Sequence, residues 1–225
     1  MSVLGHYQID DVSLFAYDEA GSQAGQWVAC ELQKDDYRIR DMSFDDGDVV
    51  IDIGAHTGLF SMYLAKRWPA LKVLAFEPFP RNYRNCVENI RVNRVENVDV
   101  YPIAVVSEKR RLTMAADPSN TGGASAVVRE FEAHGVEGDI PSITLDEVFS
   151  LNAITRCRLL KIDCEGMEYE ILRGTSVLDR IEYLCGEFHG SADLEGSDCT
   201  PERLYEHCRS FFAEDRMKVQ FRDIP

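Results

Sequence analysis

The sequence predicts an α/β protein with a doubly wound, mostly parallel sheet of the Rossmann-like type, preceded by an N-terminal lead-in. Short runs rich in Val, Ile and Leu are typical of parallel strands that are buried on both faces. Glycine or acidic residues and then a helical spacing of apolar residues follow these runs, which indicates strand-turn-helix units. We expect the functional residues at the carboxyl ends of the strands, where open α/β sheets bind ligands. The runs span residues 49–53, 73–76 and 159–162.

Length and charge limit the classes of function. The 225 residues suit one compact domain, in which we expect residues 1–46 to form a lead-in or cap and residues 47–225 to form the ligand-binding part. The formal net charge is −15 and the sequence pI is about 4.7. Nucleic-acid-binding proteins usually carry a basic surface, so a nucleic-acid partner is disfavoured.

The cysteines and the N-terminus predict the compartment. Seven scattered cysteines without a C-x-x-C pair indicate free thiols rather than a zinc site or a disulfide framework. The N-terminus lacks a signal segment, and no apolar run approaches the length of a membrane span. We therefore expect a cytoplasmic protein without a membrane partner.

The first strand breaks into a glycine turn, D-I-G-A-H-T-G at residues 52–58, before a helix predicted over 59–67. Such a turn offers backbone N–H groups and a helix N-terminus to a ligand, and Gly54 can adopt backbone angles closed to other residues. The spacing is not G-x-G-x-x-G, and no Lys-Ser/Thr pair follows, so neither a dinucleotide fingerprint nor a P-loop is predicted. An ordinary tight strand-to-helix turn is the alternative.

The second strand ends at an acid, Glu77, followed by Pro78 and Phe79. In other doubly wound sheets an acid in this place accepts hydrogen bonds from the ribose hydroxyls of a nucleoside. Glu77 lies about 20 residues beyond the glycine turn, which fits that role. The alternative is a lone exposed carboxylate.

The lead-in predicts a strand over 12–17, a turn over 21–25 and a short helix over 27–32. Glu31 of that helix has two interpretations. It contacts a ligand in the cleft, or, as the favoured interpretation, it is a solvated helix carboxylate.

The middle of the chain is harder to interpret. Residues 98–106 predict a third strand, and residues 111–115 predict an added one. Residues 117–123, with the sequence D-P-S-N-T-G-G, have the composition of a flexible loop. This loop is either a lid that closes over substrate or a surface hairpin turn.

The C-terminal half predicts three further strands, of which the first two end in polar residues and are followed by helices. Thr144 and Thr200 are predicted N-caps, and Gly174 ends a helix. The predicted strands span 158–162, 183–189 and 219–221, and the predicted helices begin near 145, 169 and 201, the last ending near 213.

The ends of the strands 158–162 and 183–189 supply the candidate catalytic residues, Asp163, Glu187 and His189. These three side chains would hold a divalent cation such as Mg²⁺, which lowers the pKa of a bound hydroxyl. In a metal-free alternative His189 is the general base, and Asp163 orients it or the substrate. In a third interpretation, Asp163 and Glu165 cap the following helix.

Three sequence blocks together resemble the FkbM-type family of S-adenosylmethionine-dependent methyltransferases, and the resemblance covers roughly residues 47–189. One departure is His56, where the family usually has Asn. The resemblance implies O-methylation of a hydroxyl on a small molecule, either a sugar or a polyketide-type natural product. The blocks are V-V-I-D-I-G-A-H-T-G at 49–58, F-E-P-F-P at 76–80 and L-L-K-I-D-C-E-G-M-E at 159–168.

The resemblance also implies a set of cofactor-binding residues. The glycine turn would line the methionine part of S-adenosylmethionine, Glu77 would hold the ribose, and the residues after it would flank the adenosine. The set is Asp52, Gly54, His56, Thr57, Gly58, Glu77, Pro78, Phe79 and Ala104, the last near the adenine.

Two questions stay open at the level of sequence. A catalytically inactive domain that binds S-adenosylmethionine is the alternative to the enzyme, because of His56 and because a methyltransferase sheet normally closes with an antiparallel hairpin, whereas here there is room for one clear strand after the last helix. The missing G-x-G-x-x-G spacing argues against a nicotinamide oxidoreductase. The oligomeric state, including a homodimer, is not predicted.

Overall fold

A computed structural model describes residues 2–117, 120–125, 136–190 and 199–223 of the chain. These residues form thirteen strands and six α-helices. The strands are β1 Ser2–Ile9, β2 Val12–Glu19, β3 Val49–Ile53, β4 Lys72–Phe76, β5 Val98–Tyr101, β6 Ala104–Val106, β7 Leu112–Asp117, β8 Asn120–Ser125, β9 Val136–Ile140, β10 Ser142–Thr144, β11 Cys157–Ile162, β12 Ile181–Gly190 and β13 Met217–Asp223. The helices are α1 Ala24–Lys34, α2 Leu59–Arg67, α3 Pro80–Val92, α4 Leu145–Leu151, α5 Glu168–Gly174 and α6 Pro201–Cys208.

Six of these strands form a central sheet in the order β13-β12-β11-β3-β4-β5, and every neighbouring pair is parallel. In β3, Ile53 lies opposite Phe76 of β4 and Ile162 of β11. These three strands therefore end at one level, and the segments that follow them meet at one edge. Strand β12 continues beyond this level to Gly190, alongside β13, so its last residues reach over the same edge.

Alternate strand residues fill two apolar cores, one on each face of the sheet. Val50 belongs to the core that contains residues of β2, α1 and α2. Its neighbour Ile51 belongs to the core that contains residues of α4, α5 and α6. Helices thus cover both faces, which confirms the predicted doubly wound α/β fold.

The lead-in is a β-hairpin followed by a helix. Strand β2 and helix α1 confirm the predicted strand and helix, although α1 starts inside the predicted turn. Leu14 and Ala16 of β2 are buried in the same core as α2, whereas Phe15 between them is exposed. The lead-in therefore packs against the sheet domain along one apolar face.

The predicted third strand, residues 98–106, is wrong as a single element. Strand β5 pairs with β4, but β6 leaves the central sheet and pairs in parallel with β10. Pro102 lies between the two strands, and proline has no N–H with which to continue a ladder.

Two other predictions need correction. Most of the predicted loop over 117–123 belongs to β7 and β8, an antiparallel pair, while residues 118 and 119 lie outside the described residues. The last helix, α6, ends at Cys208 rather than near 213. The one strand expected after it, β13, is present and pairs in parallel with β12. In the described ranges, no helix has the length and apolar character needed to cross a membrane.

Candidate active site

The glycine turn is held between two neighbouring strands. The N–H groups of Gly54 and Ala55 donate to the carbonyl oxygen of Phe76 at 3.0 and 3.1 Å. Gly54 has φ of 80°, and a Cβ atom there would collide with the carbonyl of Asp163. At Gly58, with φ of 82°, a Cβ atom would lie 2.6 Å from Cys86 Sγ. Both glycines are required because the chain turns in the left-handed region against closely packed neighbours.

Glu77 is bonded to the glycine turn. Its Oε2 accepts the N–H of His56 at 2.7 Å, and its Oε1 accepts the N–H of Phe79 at 2.9 Å. Glu77 is only 5% exposed, and burial raises its pKa to about 7, against the lowering effect of the two N–H groups. The sequence alternative of an exposed carboxylate is therefore wrong, and the turn and the acid form one unit.

This unit has the donor and acceptor chemistry that a nucleoside needs. Each carboxylate oxygen of Glu77 receives one backbone N–H, and such an oxygen can accept a second hydrogen bond. The adjacent Phe79 is buried in the same apolar core as Ala104, and Thr57 is also buried. A cofactor with a ribose diol and an aromatic base fits these residues, although their contacts with it stay a prediction.

Lys161 of β11 connects the glycine turn to the end of its own strand. Its ammonium group donates to the carbonyl of Gly54 at 2.8 Å and lies 3.4 Å from Asp163 Oδ2. It also lies 3.3 Å from Asp52 Oδ1, an oxygen without a well-directed hydrogen bond, so we treat this contact as an ion pair. Burial opposes the charge of Lys161, but the two carboxylates raise its pKa well above the usual range.

Asp52 is fully buried, and Ser61 Oγ donates to its Oδ2 at 2.7 Å. Its carboxylate therefore supports the turn through groups of the chain itself. The predicted contact of Asp52 with the methionine part of a cofactor stays a prediction.

The structure brings the three candidate catalytic residues together. The ligand atoms of Asp163, Glu187 and His189 lie within 4.8 Å of one another. His189 Nε2 lies 3.9 Å from Asp163 Oδ1, 3.5 Å from Glu187 Oε2 and 3.7 Å from Glu165 Oε2. We call Asp163, Glu165, Glu168 and Glu187, with His189 among them, the acidic cluster.

Glu168 orients His189 and the loop before α5. Its Oε1 lies 3.0 Å from His189 Nδ1 and accepts the N–H of Cys164, and its Oε2 accepts the N–H of Gly166. Burial disfavours the charged imidazole, but the hydrogen bonds with Glu168 and Glu187 and the charge of Glu165 raise the pKa of His189 to about 11. Sequence reasoning missed this role of Glu168, although its place four residues before Leu172 in a buried helix was a signal.

The interpretation of Asp163 and Glu165 as helix caps is not supported. The N-cap of α5 is Met167, and no side chain caps it. Burial opposes the ionisation of Asp163, but Lys161 and His189 lower its pKa. Burial raises the pKa of Glu165 to about 7. The cluster thus holds an ionised carboxylate beside a protonated imidazole at neutral pH.

The lead-in contributes to the rim of the acidic cluster. Tyr37 donates its hydroxyl to Glu31 Oε2 at 2.6 Å, and Arg222 of β13 bridges Glu31 at 3.4 Å and Glu187 at 2.8 Å. Burial raises the pKa of Glu31, and the nearby charges of Glu187 and Asp163 add to the effect. The favoured interpretation of Glu31 as a solvated carboxylate is wrong.

A parallel, doubly wound sheet with this glycine turn and acid has the architecture of a Rossmann-like nucleotide-binding domain. The family model described as the methyltransferase FkbM domain matches residues 52–218. The chain belongs to the FkbM methyltransferase family.

Curated relatives of low sequence identity to this chain are also named methyltransferases. "Methyltransferase 1" of Beauveria bassiana is 25% identical over 149 residues, which cover 58% of this chain and 59% of the relative. "31-O-demethyl-FK506 methyltransferase FkbM" of Streptomyces tacrolimicus is 27% identical, covering 67% of this chain and 68% of the relative. "Hexuronic acid methyltransferase AglP" of Haloferax volcanii is 26% identical, covering 66% and 59%. The chain thus matches about three fifths of the length of two of these relatives.

Proposed function

We propose that this chain is an S-adenosylmethionine-dependent O-methyltransferase that acts on a hydroxyl of a small molecule. The observation that carries the proposal is the bond between the His56 N–H and Glu77. It joins the glycine turn and the acid of the next strand into one wall of a nucleoside site. Family membership supports the same cofactor.

The charges around the turn suit a positively charged cofactor. The carboxylates of Glu77 and Asp163 lie on either side of the turn, and Lys161 neutralises only part of this charge. When bound, S-adenosylmethionine supplies a methyl group on a sulfonium, which is transferred by in-line displacement. The chain has to orient the acceptor oxygen towards that methyl group and remove its proton.

The acidic cluster is the proposed acceptor side. In the absence of a metal, the protonated His189 cannot accept a proton, whereas Asp163 is ionised and can accept the hydrogen of an acceptor hydroxyl. His189 would then orient Asp163 and stabilise its charge. This assignment reverses the roles that the metal-free sequence interpretation gives to the two residues.

A divalent cation is the second version of the acceptor side. Asp163, Glu187 and His189 would hold it, because Glu168 occupies Nδ1 of the imidazole and leaves Nε2 directed at the two carboxylates. Such an ion would lower the pKa of the acceptor hydroxyl. Oxygen and imidazole donors of this kind suit Mg²⁺ less well than Mn²⁺ or Zn²⁺, since Mg²⁺ prefers oxygen ligands.

The acceptor class is inferred from the relatives. One is named as a methyltransferase of 31-O-demethyl-FK506 and another as a methyltransferase of hexuronic acid. For this chain we propose a hydroxyl of a polyketide-type compound or of a sugar as the acceptor. The net charge of −15 disfavours a nucleic-acid acceptor. Free thiols at all seven cysteines suit a reducing cytoplasm, where we place the protein.

Titration calorimetry tests the cofactor site. We expect S-adenosylmethionine to bind the unmodified protein with a Kd of about 1–10 μM, and Glu77→Ala to remove measurable binding because the ribose loses its acceptor. Glu88→Ala is the matched control, since Glu88 is a surface carboxylate of α3 paired with Arg91. Equal affinity in Glu77→Ala and Glu88→Ala would contradict the proposal.

Transfer of labelled methyl groups to sugars and polyketide intermediates, with and without chelator, tests the reaction. Loss of transfer on chelation supports the cation, and unchanged transfer supports Asp163 alone. Cofactor binding without transfer to any acceptor of the panel would favour the inactive binding domain.

A further inference from the structure

Asn89 of α3 and Asn93, the residue at the C-cap of that helix, bind the backbone of β2 as a neighbouring strand would. Asn93 accepts the N–H of Phe15 at 2.9 Å and donates to its carbonyl at 2.5 Å. Asn89 accepts the N–H of Tyr17 at 2.6 Å and donates to its carbonyl at 3.0 Å. The two amides therefore fix the same strand to the same helix by the same pattern of bonds.

Asn89 makes one contact that Asn93 does not make. Its amide nitrogen also donates to the carbonyl of Thr57 in the glycine turn at 2.9 Å. The second donor of Asn93 goes to its own helix, at the carbonyl of Asn89, with a weaker contact to Met62 Sδ. Asn89 and Thr57 are both buried, so loss of this donor from the Thr57 carbonyl costs free energy.

The Thr57 carbonyl lies where no helical bond can satisfy it. Helix α2 has its N-cap at Gly58, and the carbonyl of Gly58 is the first to accept a helical N–H, from Met62 at 2.9 Å. Thr57 therefore depends on a side-chain donor from outside the turn. Asn89 supplies it from the same amide group that fixes β2.

The end of β2 lies against the turn in a second way. Asp18 follows Tyr17, and its negative charge acts on the imidazole of His56. Asp18 is itself fixed, since Ser22 Oγ and the N–H of Gly25 donate to its Oδ2 at 2.8 and 3.2 Å. The lead-in thus presents an ordered carboxylate to the turn.

We propose that Asn89 is a positioning residue that couples the docking of the β1–β2 hairpin to the conformation of the glycine turn, and hence to the binding of S-adenosylmethionine. The inference rests on the proposed function, because it takes the turn as the cofactor site. Coupling of this kind is reciprocal, so cofactor binding also stabilises the docked hairpin.

Matched variants separate this coupling from the docking of the hairpin alone. Asn89→Ala and Asn93→Ala each remove a buried amide that fixes β2, but only Asn89→Ala leaves the Thr57 carbonyl unsatisfied. We expect the Kd for S-adenosylmethionine, measured by calorimetry, to rise about tenfold in Asn89→Ala and less than about threefold in Asn93→Ala. Similar Kd values in the two variants would overturn the proposal, because hairpin docking would then explain the whole effect.

Amide hydrogen exchange on the unmodified protein gives a second test, which holds even if Asn89→Ala does not fold. Saturating S-adenosylhomocysteine should slow exchange of the Tyr17 N–H, which donates to Asn89, by about fivefold or more. Unchanged exchange with the ligand bound would overturn the coupling. Absence of any binding heat in the unmodified protein would instead overturn the proposed function, and the coupling with it.

Discussion

The glycine turn and the acidic cluster lie at the same edge of the sheet but are held in place by different kinds of contact. The turn is fixed by backbone groups, with two N–H groups on the Phe76 carbonyl and a third on Glu77. The acidic cluster is fixed by charged side chains around His189. The turn therefore depends on side chains that bind its N–H and C=O groups, such as Glu77 and Asn89, whereas the acidic cluster depends on the charge of each of its members.

The ammonium group of Lys161 contacts both regions, so its removal should have the largest effect. We expect Lys161→Met to lower the free energy of unfolding by about 3–5 kcal/mol, because it leaves the fully buried Asp52 without its cation and removes one of the two cationic groups beside Asp163. Urea unfolding followed by circular dichroism measures this. Lys72→Met, at the exposed start of β4, is the control and should change the stability by less than about 0.5 kcal/mol.

A loss below about 1 kcal/mol in Lys161→Met would show that the two regions are stabilised independently. The link through the ammonium group would then contribute little, and the contrast between the regions would become sharper.

The second prediction tests the dependence of the acidic cluster on a single member. Glu168→Gln keeps the shape of the side chain but places an amide nitrogen against a group that already donates, either a backbone N–H or His189. We expect kcat to fall by about 100-fold, with the Kd for S-adenosylmethionine unchanged, because Glu168 does not contact the turn.

The control for this prediction is Glu170→Gln, on the same helix. Glu170 binds Arg110 and the N–H of Ser107, away from His189, so kcat should be retained. A parallel rise in the cofactor Kd of Glu168→Gln would show that the two regions are not separable.

The smallest predicted effect concerns pH and the glycine turn. Burial raises the pKa of Glu77 to about 7 in the free protein, so below that pH the group is mostly protonated and has fewer lone pairs for the ribose. Binding then releases a proton, and affinity rises with pH. Between pH 5.5 and 7, where the amino and carboxyl groups of the cofactor do not titrate, we expect calorimetry to show a roughly tenfold tighter Kd. Glu77→Gln should bind weakly with no pH dependence, and a flat profile in the unmodified protein would contradict the role of Glu77.

The sequence predicted the parts of the site that follow directly from a strand. The glycine turn, Glu77 and the set of Asp163, Glu187 and His189 all lie at carboxyl ends of parallel strands, and the register of a parallel sheet brings such ends together. The local sequence pattern was sufficient to place these residues at the strand ends, because the spacing within each motif fixes its position relative to the strand.

Contacts between distant segments could not be predicted in the same way. Glu31 and Arg222 are 191 residues apart and meet only because the lead-in packs beside the edge strand. Strand β6 pairs with β10 instead of joining the central sheet. The local sequence of β6 does not show which strand it will pair with. The charge of His189 depends on four carboxylates, which come from β12, from the loop after β11 and from the start of α5. It is therefore a property of the assembled cluster.

The spacing of the asparagines on α3 has a consequence for sequence variation. Four helical residues, from Asn89 to Asn93, advance about 6 Å, and two strand residues, from Tyr17 to Phe15, advance about 6.8 Å. The two repeats agree closely enough for a helix to act as the partner of a strand over this short distance, but the mismatch would grow with each further pair. We expect homologous chains to accept insertions in the tight bend between β1 and β2, and to exclude any between positions 15 and 17, where one added residue would turn Leu14 from the core to solvent.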